Sequence, residues 1–205
     1  MRHIVPPAFV LALFLAPSAV MAAPEAFAID PVHTRVMIAV GHAGFSQALG
    51  TVSGATGQVR FADDWSVASV EVRIPLARLD FGDAGWNRAV QGLLDTGRYP
   101  EARFVAQRVT RRDAQHAEAC GDFSLHGVTR PLCLDVTLNA LRRHPLPPFR
   151  RTAGFSATTR LDRTAFGIDE WSSVIGRDVD VRIELEASHG FGAPATDTPA
   201  GGAAE

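Results

Sequence analysis

Apolar and polar positions alternate through most of the chain between residues 29 and 187. The clearest stretch is Ala119–Val136, ACGDFSLHGVTRPLCLDV, which folds back on itself about His126-Gly127 without a gap. In that register Leu125 faces Val128, Ser124 faces Thr129, Phe123 faces Arg130, Asp122 faces Pro131 and Cys120 faces Cys133. A two-residue hairpin turn needs positive φ at its central positions, and a Gly at the second suits it. Counted outward from the turn, 125/128 is a hydrogen-bonded pair and alternate pairs are not. Pro131 falls in a non-hydrogen-bonded pair, where its missing N–H costs nothing. Phe123, Leu125, Leu132, Leu134 and Val136 share a dry face, while Asp122, Ser124, Thr129, Pro131, Cys133 and Asp135 share a wet one. That is the pattern of an antiparallel sheet with water on one side.

The same period recurs along the chain. Ile29–His42 reads as one strand with Val36, Ile38 and Val40 on one face. Val67–Leu79 alternates cleanly, with Val70, Val72, Ile74 and Leu76 opposite Ser69, Glu71 and Arg73. Ala102–Arg111, Gly154–Leu161 and Val179–Ala187 are further strands, and Val52 and Val59–Phe61 fall in short ones. Gly41, Gly44, Gly50, Gly54 and Gly57 punctuate that region. No Lys and no helix pattern follow them, so they are bends and bulges rather than a phosphate loop. One helix is predicted over Ala84–Asp95, where Trp86, Ala89, Val90, Leu93 and Leu94 form a single apolar stripe. Asp83 caps its start and Gly97 its end. About eight alternating strands and one short helix predict an all-β fold, an antiparallel barrel whose closure removes both sheet edges. At eight strands the interior holds either packed side chains or one small ligand.

Composition narrows the function classes. Residues 1–22 combine Arg2 and His3, an apolar run and a small-residue end at Val20-Met21-Ala22, which is the pattern of a secretory signal peptide. A single domain is expected over 23–189, followed by a Gly-, Ala-, Pro- and Thr-rich tail at 190–205 that is expected to be disordered. No other stretch is apolar enough for a membrane span. All 20 basic residues are Arg, against 22 acidic ones; loss of Arg2 with the leader moves the net charge from −2 to −3, which argues against nucleic acid as a partner. Arg142–Arg151, RRHPLPPFRR, is a basic, Pro-rich loop or edge, either a solvated loop or a contact with anionic headgroups. With export to an oxidising compartment, the hairpin register predicts a Cys120–Cys133 disulfide on the wet face.

Catalytic patterns are scarce. Ser46 sits in GFSQA and Ser156 in GFSAT, neither a nucleophile elbow. His33 and His42, nine apart on one strand, would point to opposite faces, which disfavours a metal site. His116, His126, His144 and His189 are placed in loops or the tail, and Asp30, Asp80, Asp95 and Asp162 suit turn or cap positions.

Six segments together resemble the YceI-like domain family: Ile29–His42, Gly44–Phe61, Val70–Asp80, Arg98–Phe104, Gly121–Leu132 and Gly154–Ile168. They carry a D-x-x-H-[ST] start, a Y-P-x-A-x-F segment, a G-V-T-x-P hairpin and an R-x-x-F-G segment, in the family's order. Ile38 stands where the family usually has Phe, Asn87 where it usually has Asp, and Phe123-Ser124-Leu125 where Leu-Thr-hydrophobic is usual. The resemblance implies an eight-stranded lipocalin-like barrel in the periplasm, holding a polyisoprenoid, an isoprenoid quinone or a similar long apolar chain. Val36, Ile38, Val40, Val72, Ile74, Phe104, Phe123, Leu134, Phe155, Phe166 and Ile183 would line it. No catalytic residue, metal or other cofactor is expected. Two other readings stay open: an enzyme on such a lipid with His33 or His42 as base, and a filled barrel acting through its surface. A homodimer is the assembly to test for.

Overall fold

The chain, a computed structural model, is described over residues 24–62 and 68–190. The expected leader, and the expected tail beyond Gly190, lie outside the described residues, as does Val67. In chain order the elements are β1 (Glu25–Ile29), β2 (Arg35–His42), β3 (Ser46–Ser53), β4 (Thr56–Phe61), β5 (Ala68–Pro75), β6 (Leu79–Asp80), α1 (Ala84–Leu93), β7 (Glu101–Arg111), β8 (His116–Leu125), β9 (Val128–Arg143), β10 (Arg151–Asp162) and β11 (Ile175–His189). The sheet runs β1-β4-β5-β7-β8-β9-β10-β11, and β11 pairs back to β1. Eight antiparallel strands therefore close a barrel. β2 continues β1 along β11, β3 pairs with β2, and β6 pairs with β3.

Two stretches read as continuous strands are broken. Between β1 and β2 the chain makes a turn at Pro31–His33. The Asp30 carboxylate shapes it by accepting from the amides of Val32 (2.8 Å) and His33 (3.2 Å). Thr34, fully buried, then rejoins the barrel. Its Oγ1 donates to the Glu186 carbonyl (3.4 Å) and accepts from the Glu186 amide (3.3 Å). The Glu186 carbonyl also accepts from the Asp30 amide (2.8 Å), so the hydroxyl stands in for the one main-chain acceptor that the turn has removed, and the β11 backbone keeps its partners. The D-x-x-H-T segment is thus a splice in a barrel strand, and His33 lies on the turn, not on the strand with His42. The second break is a 3-10 turn at Leu76–Arg78 between β5 and β6, where the Leu76 amide donates to the Pro100 carbonyl (2.9 Å).

The central hairpin pairs residue for residue as its register predicts, from Leu125↔Val128 out to Cys120↔Cys133 and on to His116↔Thr137. His126 and Gly127 take φ of 52° and 75°. A Cβ on Gly127 would also meet the Tyr99 ring at 2.6 Å. The helix begins at its Asp83 cap, which accepts from Gly85 (2.8 Å) and Trp86 (2.9 Å). It ends earlier than expected. Asp95, at φ 45°, takes the left-handed position expected of Gly97, and its carbonyl accepts from Arg98 (3.0 Å) and Tyr99 (2.8 Å). Gly41 and Gly50 lie within strands rather than between them, and so do His116 and His189, expected in loops or the tail, because β8 and β11 pair out to His116↔Thr137 and Phe27↔His189.

Cys120 and Cys133 form the disulfide, with Cα atoms 4.1 Å apart on the outer, hydrated face. It closes a loop of 13 residues' separation. The variant C120S/C133S should lose about 3 kcal/mol in urea unfolding, because the open chain regains loop entropy. An unchanged unfolding midpoint would show that the hairpin needs no staple.

Candidate functional site

The barrel is closed at one end and open at the other. At the closed end Phe27 stacks on Phe61, centroids 5.1 Å apart, and Phe61 meets Phe155 edge-on at 5.6 Å. Phe27 and Phe61 are 1% and 2% exposed, so this aromatic layer seals the base. The open end carries α1, the β2–β3 turn and the segment 167–174. These are tied together: the Ala43 amide donates to the Val174 carbonyl (2.6 Å), and the His42 ring lies 5.3 Å from that of Trp86. α1 is fastened through Asn87, whose side chain accepts from the Phe81 amide (2.7 Å) and donates to Asp80 (2.9 Å).

Between the ends lies a cavity of about 680 Å³, within the size range of small-molecule sites. Of the predicted lining residues, Val36, Ile38, Val40, Val72, Ile74, Phe104, Phe123, Leu134, Phe155 and Ile183 face it. Phe166 does not. It is buried behind Phe123, ring centroids 5.5 Å apart, because it sits on a 3-10 turn that packs against the wall from the end of β10. The wall is apolar apart from Ser69 and Thr159 within, and His42, Arg163 and Glu170 near the open end. Ile38, Val40, Val70, Val136, Val181 and Ile183 point inward yet are only half-buried. They border empty space, so of the two interiors open to an eight-stranded barrel the hollow one is observed: the inward side chains are too short to meet across it.

Sequence reasoning missed the role of Arg163 and of α1 as lining. Arg163 is 4% exposed, and no carboxylate bonds to it among the described residues. Its guanidinium donates instead to four carbonyls, those of Gly176 (2.8 Å), Ile168 (2.5 Å), Glu170 (3.0 Å) and Ile175 (2.9 Å). One planar fork thereby pins both sides of the 167–176 segment at the mouth. Asp162 caps the turn before it, donated to by the Thr164 amide (2.9 Å) and hydroxyl (2.6 Å). The Arg177 guanidinium holds the Asp162 carboxyl far below the usual carboxylate range. The R-x-x-F-G pattern was the available signal, but only the fold reveals what the Arg holds. α1 contributes Trp86, Ala89, Val90 and Leu93 to the cavity, and its C-cap Leu94 adds to them, so its apolar stripe faces the hollow and no helix residue is fully buried.

The two histidines offered as alternative bases lie apart, one on the outer turn and one at the mouth. His33 is exposed on the outer turn, bonded through Nδ1 to Asp30 (2.8 Å), and does not line the cavity. His42 lies at the mouth beside Trp86. Among the described residues the one cluster with metal-ligand spacing is Glu118 with Cys120 and Cys133, and the disulfide occupies both thiols. No helix of the described residues is long and apolar enough to cross a membrane.

Fold and cavity define a class: closed, eight-stranded antiparallel barrels with a hollow apolar interior and one helix at the mouth. The model of the YceI-like domain matches residues 27–187, and the chain belongs to that family. It is 31% identical to a UPF0312 protein of Pseudomonas savastanoi pv. phaseolicola over 160 residues, covering 74% of this chain and 82% of that one. A UPF0312 protein of Pseudomonas fluorescens is likewise 31% identical, over 183 residues, covering 82% and 91%. Among solved structures, Burkholderia cenocepacia BcnA superposes with a TM-score of 0.69 at 22% identity, covering 78% of this chain and 99% of that one. A polyisoprenoid binding domain from Saccharophagus degradans superposes with a TM-score of 0.59 at 12% identity, covering 80% and 98%. Both show the same fold.

Two outcomes follow from these contacts. Arg163→Met should cost about 3 kcal/mol in urea unfolding, since it leaves a cluster of carbonyls unpaired, whereas a loss no larger than that of an exposed arginine would deny it the clasp role. The Asp30–His33 contact sets a pH window. Burial pushes the Asp30 carboxyl up, but the bonds from the His33 ring and the Val32 and His33 amides outweigh it, so it titrates below 3.8. The hydrogen bond to Asp30 raises His33 above 6.5. The imidazole's contribution is full below 6.5 and fades as pH rises through its raised folded value. The carboxylate's is present above 3.8 and fades as pH falls through its lowered one. In NMR titration, Asp30→Asn should bring the His33 midpoint down toward 6.5; an unmoved midpoint would refute the pairing.

Proposed function

We propose that the protein is an exported binding protein that holds one long apolar chain, of polyisoprenoid or isoprenoid-quinone type, inside its barrel for sequestration or transport in the periplasm. The observation that carries this reading is the half-buried inward wall around the 680 Å³ hollow. Each methylene buried there gains about 0.8 kcal/mol, and a wall with so few polar groups asks for none on the ligand's shaft. The polar side chains of His42 and Glu170 near the mouth suit a ligand whose one polar end stays at the opening. The Saccharophagus degradans neighbour, a polyisoprenoid binding domain, supports the same ligand class. The leader-like residues 1–22 and the disulfide support export. Binding without turnover is favoured over catalysis, because neither candidate histidine is joined to a second catalytic group inside the cavity.

Organic extraction of the purified protein followed by mass spectrometry should yield about one apolar lipid per chain. Ile74→Arg or Leu134→Arg should abolish it, because an unpaired charge in an apolar cavity costs several kcal/mol. Variants are scored only if they keep native circular dichroism. Well-folded Arg variants that still copurify with stoichiometric lipid would place the ligand elsewhere.

A further inference from the structure

The closed end of the barrel carries a second feature that the cavity does not use. Arg142 and Arg143 end β9, Arg150 and Arg151 flank the start of β10, and His144–Phe149 joins them. β9 and β10 pair here, Arg143 opposite Arg151, so the four arginines are gathered at one edge. With Glu25, Pro148, Phe149 and His189 they surround a hollow of about 540 Å³. Among the described residues Glu25 is the one acidic residue lining it, and it is bonded to Arg151 (2.5 Å), which also lies over the Phe27 ring at 5.9 Å. Arg142 and Arg143 are exposed. The connecting loop is drawn tight by bonds from the His144 amide to the Arg150 carbonyl (2.8 Å) and from the Phe149 amide to the Leu146 carbonyl (3.0 Å). Its two large apolar side chains are left outside: Leu146 is 63% exposed and Phe149 52%.

Apolar side chains set among clustered arginines match the interface of an anionic bilayer, where the apolar groups enter the headgroup boundary and the guanidinium groups meet phosphate. The charge is local, since the whole chain is net −2. The opposite end differs, with Asp169 and Glu170 in the segment at the mouth. We propose that the Arg142–Arg151 loop docks the protein on an anionic phospholipid surface, closed end down. Because β9 runs from the His126-Gly127 turn at the mouth to this loop, the cavity then opens away from the surface. The docking does not depend on what the cavity holds.

The test is flotation of the purified full-length mature protein with vesicles of phosphatidylethanolamine, with and without about 30% phosphatidylglycerol. Wild type should float with the anionic vesicles only, and should be released at about 0.5 M salt. R142Q/R143Q should weaken partitioning at least about tenfold, and L146S/F149S should weaken it too, with circular dichroism and any bound lipid unchanged. F45S/W171S, at the mouth, should float as wild type does. The proposal is overturned if wild type fails to float, if it binds neutral vesicles equally well, if R142Q/R143Q floats unchanged, or if F45S/W171S alone abolishes binding and so makes the mouth the docking face.

Discussion

Closure of the sheet is the constraint on which the rest depends. A strand in this barrel must find a partner on both sides, and β11 meets it by pairing with β10 along its length and with β2 and then β1 on the other side. That demand explains the local chemistry at the β1–β2 break. At the turn the Glu186 carbonyl of β11 still accepts from the Asp30 amide (2.8 Å), and the Thr34 hydroxyl supplies the acceptor that the Glu186 amide would otherwise lack. A residue pattern that looks catalytic in a sequence, with Asp, His and Thr within five positions, is here the cost of bending a strand without opening the ring.

Closure also makes the hollow. Eight strands set a width that Val, Ile, Leu and Phe side chains do not span everywhere, so the inner wall keeps solvent-accessible apolar surface. Folding tolerates this because the base is sealed by Phe27, Phe61 and Phe155, and because α1 lays its apolar stripe over the interior. The mouth is held by other means. Arg163 replaces packing with four directed hydrogen bonds to the backbone of one loop, giving a defined rim where apolar contacts would have filled the entrance. The two ends thus differ in kind, aromatic packing under a basic loop at one and a clasped polar rim at the other.

Alternation alone determined a good deal of this. Period-two patterning at Val36–Val40, Val70–Leu76 and Phe155–Leu161 assigned the inward faces, since a strand's side chains have only two directions to choose from. Two-residue turn chemistry at His126-Gly127 set the hairpin register, and with it the Cys120–Cys133 pair. Ten of the eleven residues named as lining face the cavity for the same reason. What only the tertiary structure decided lies where contacts are non-local. The splice at Thr34 needs Glu186, 152 positions away. Phe166 left the lining because a 3-10 turn, capped by Asp162, packed its ring behind Phe123. Whether inward side chains meet or leave a void depends on barrel diameter, which is a property of all eight strands at once and is written in no single segment.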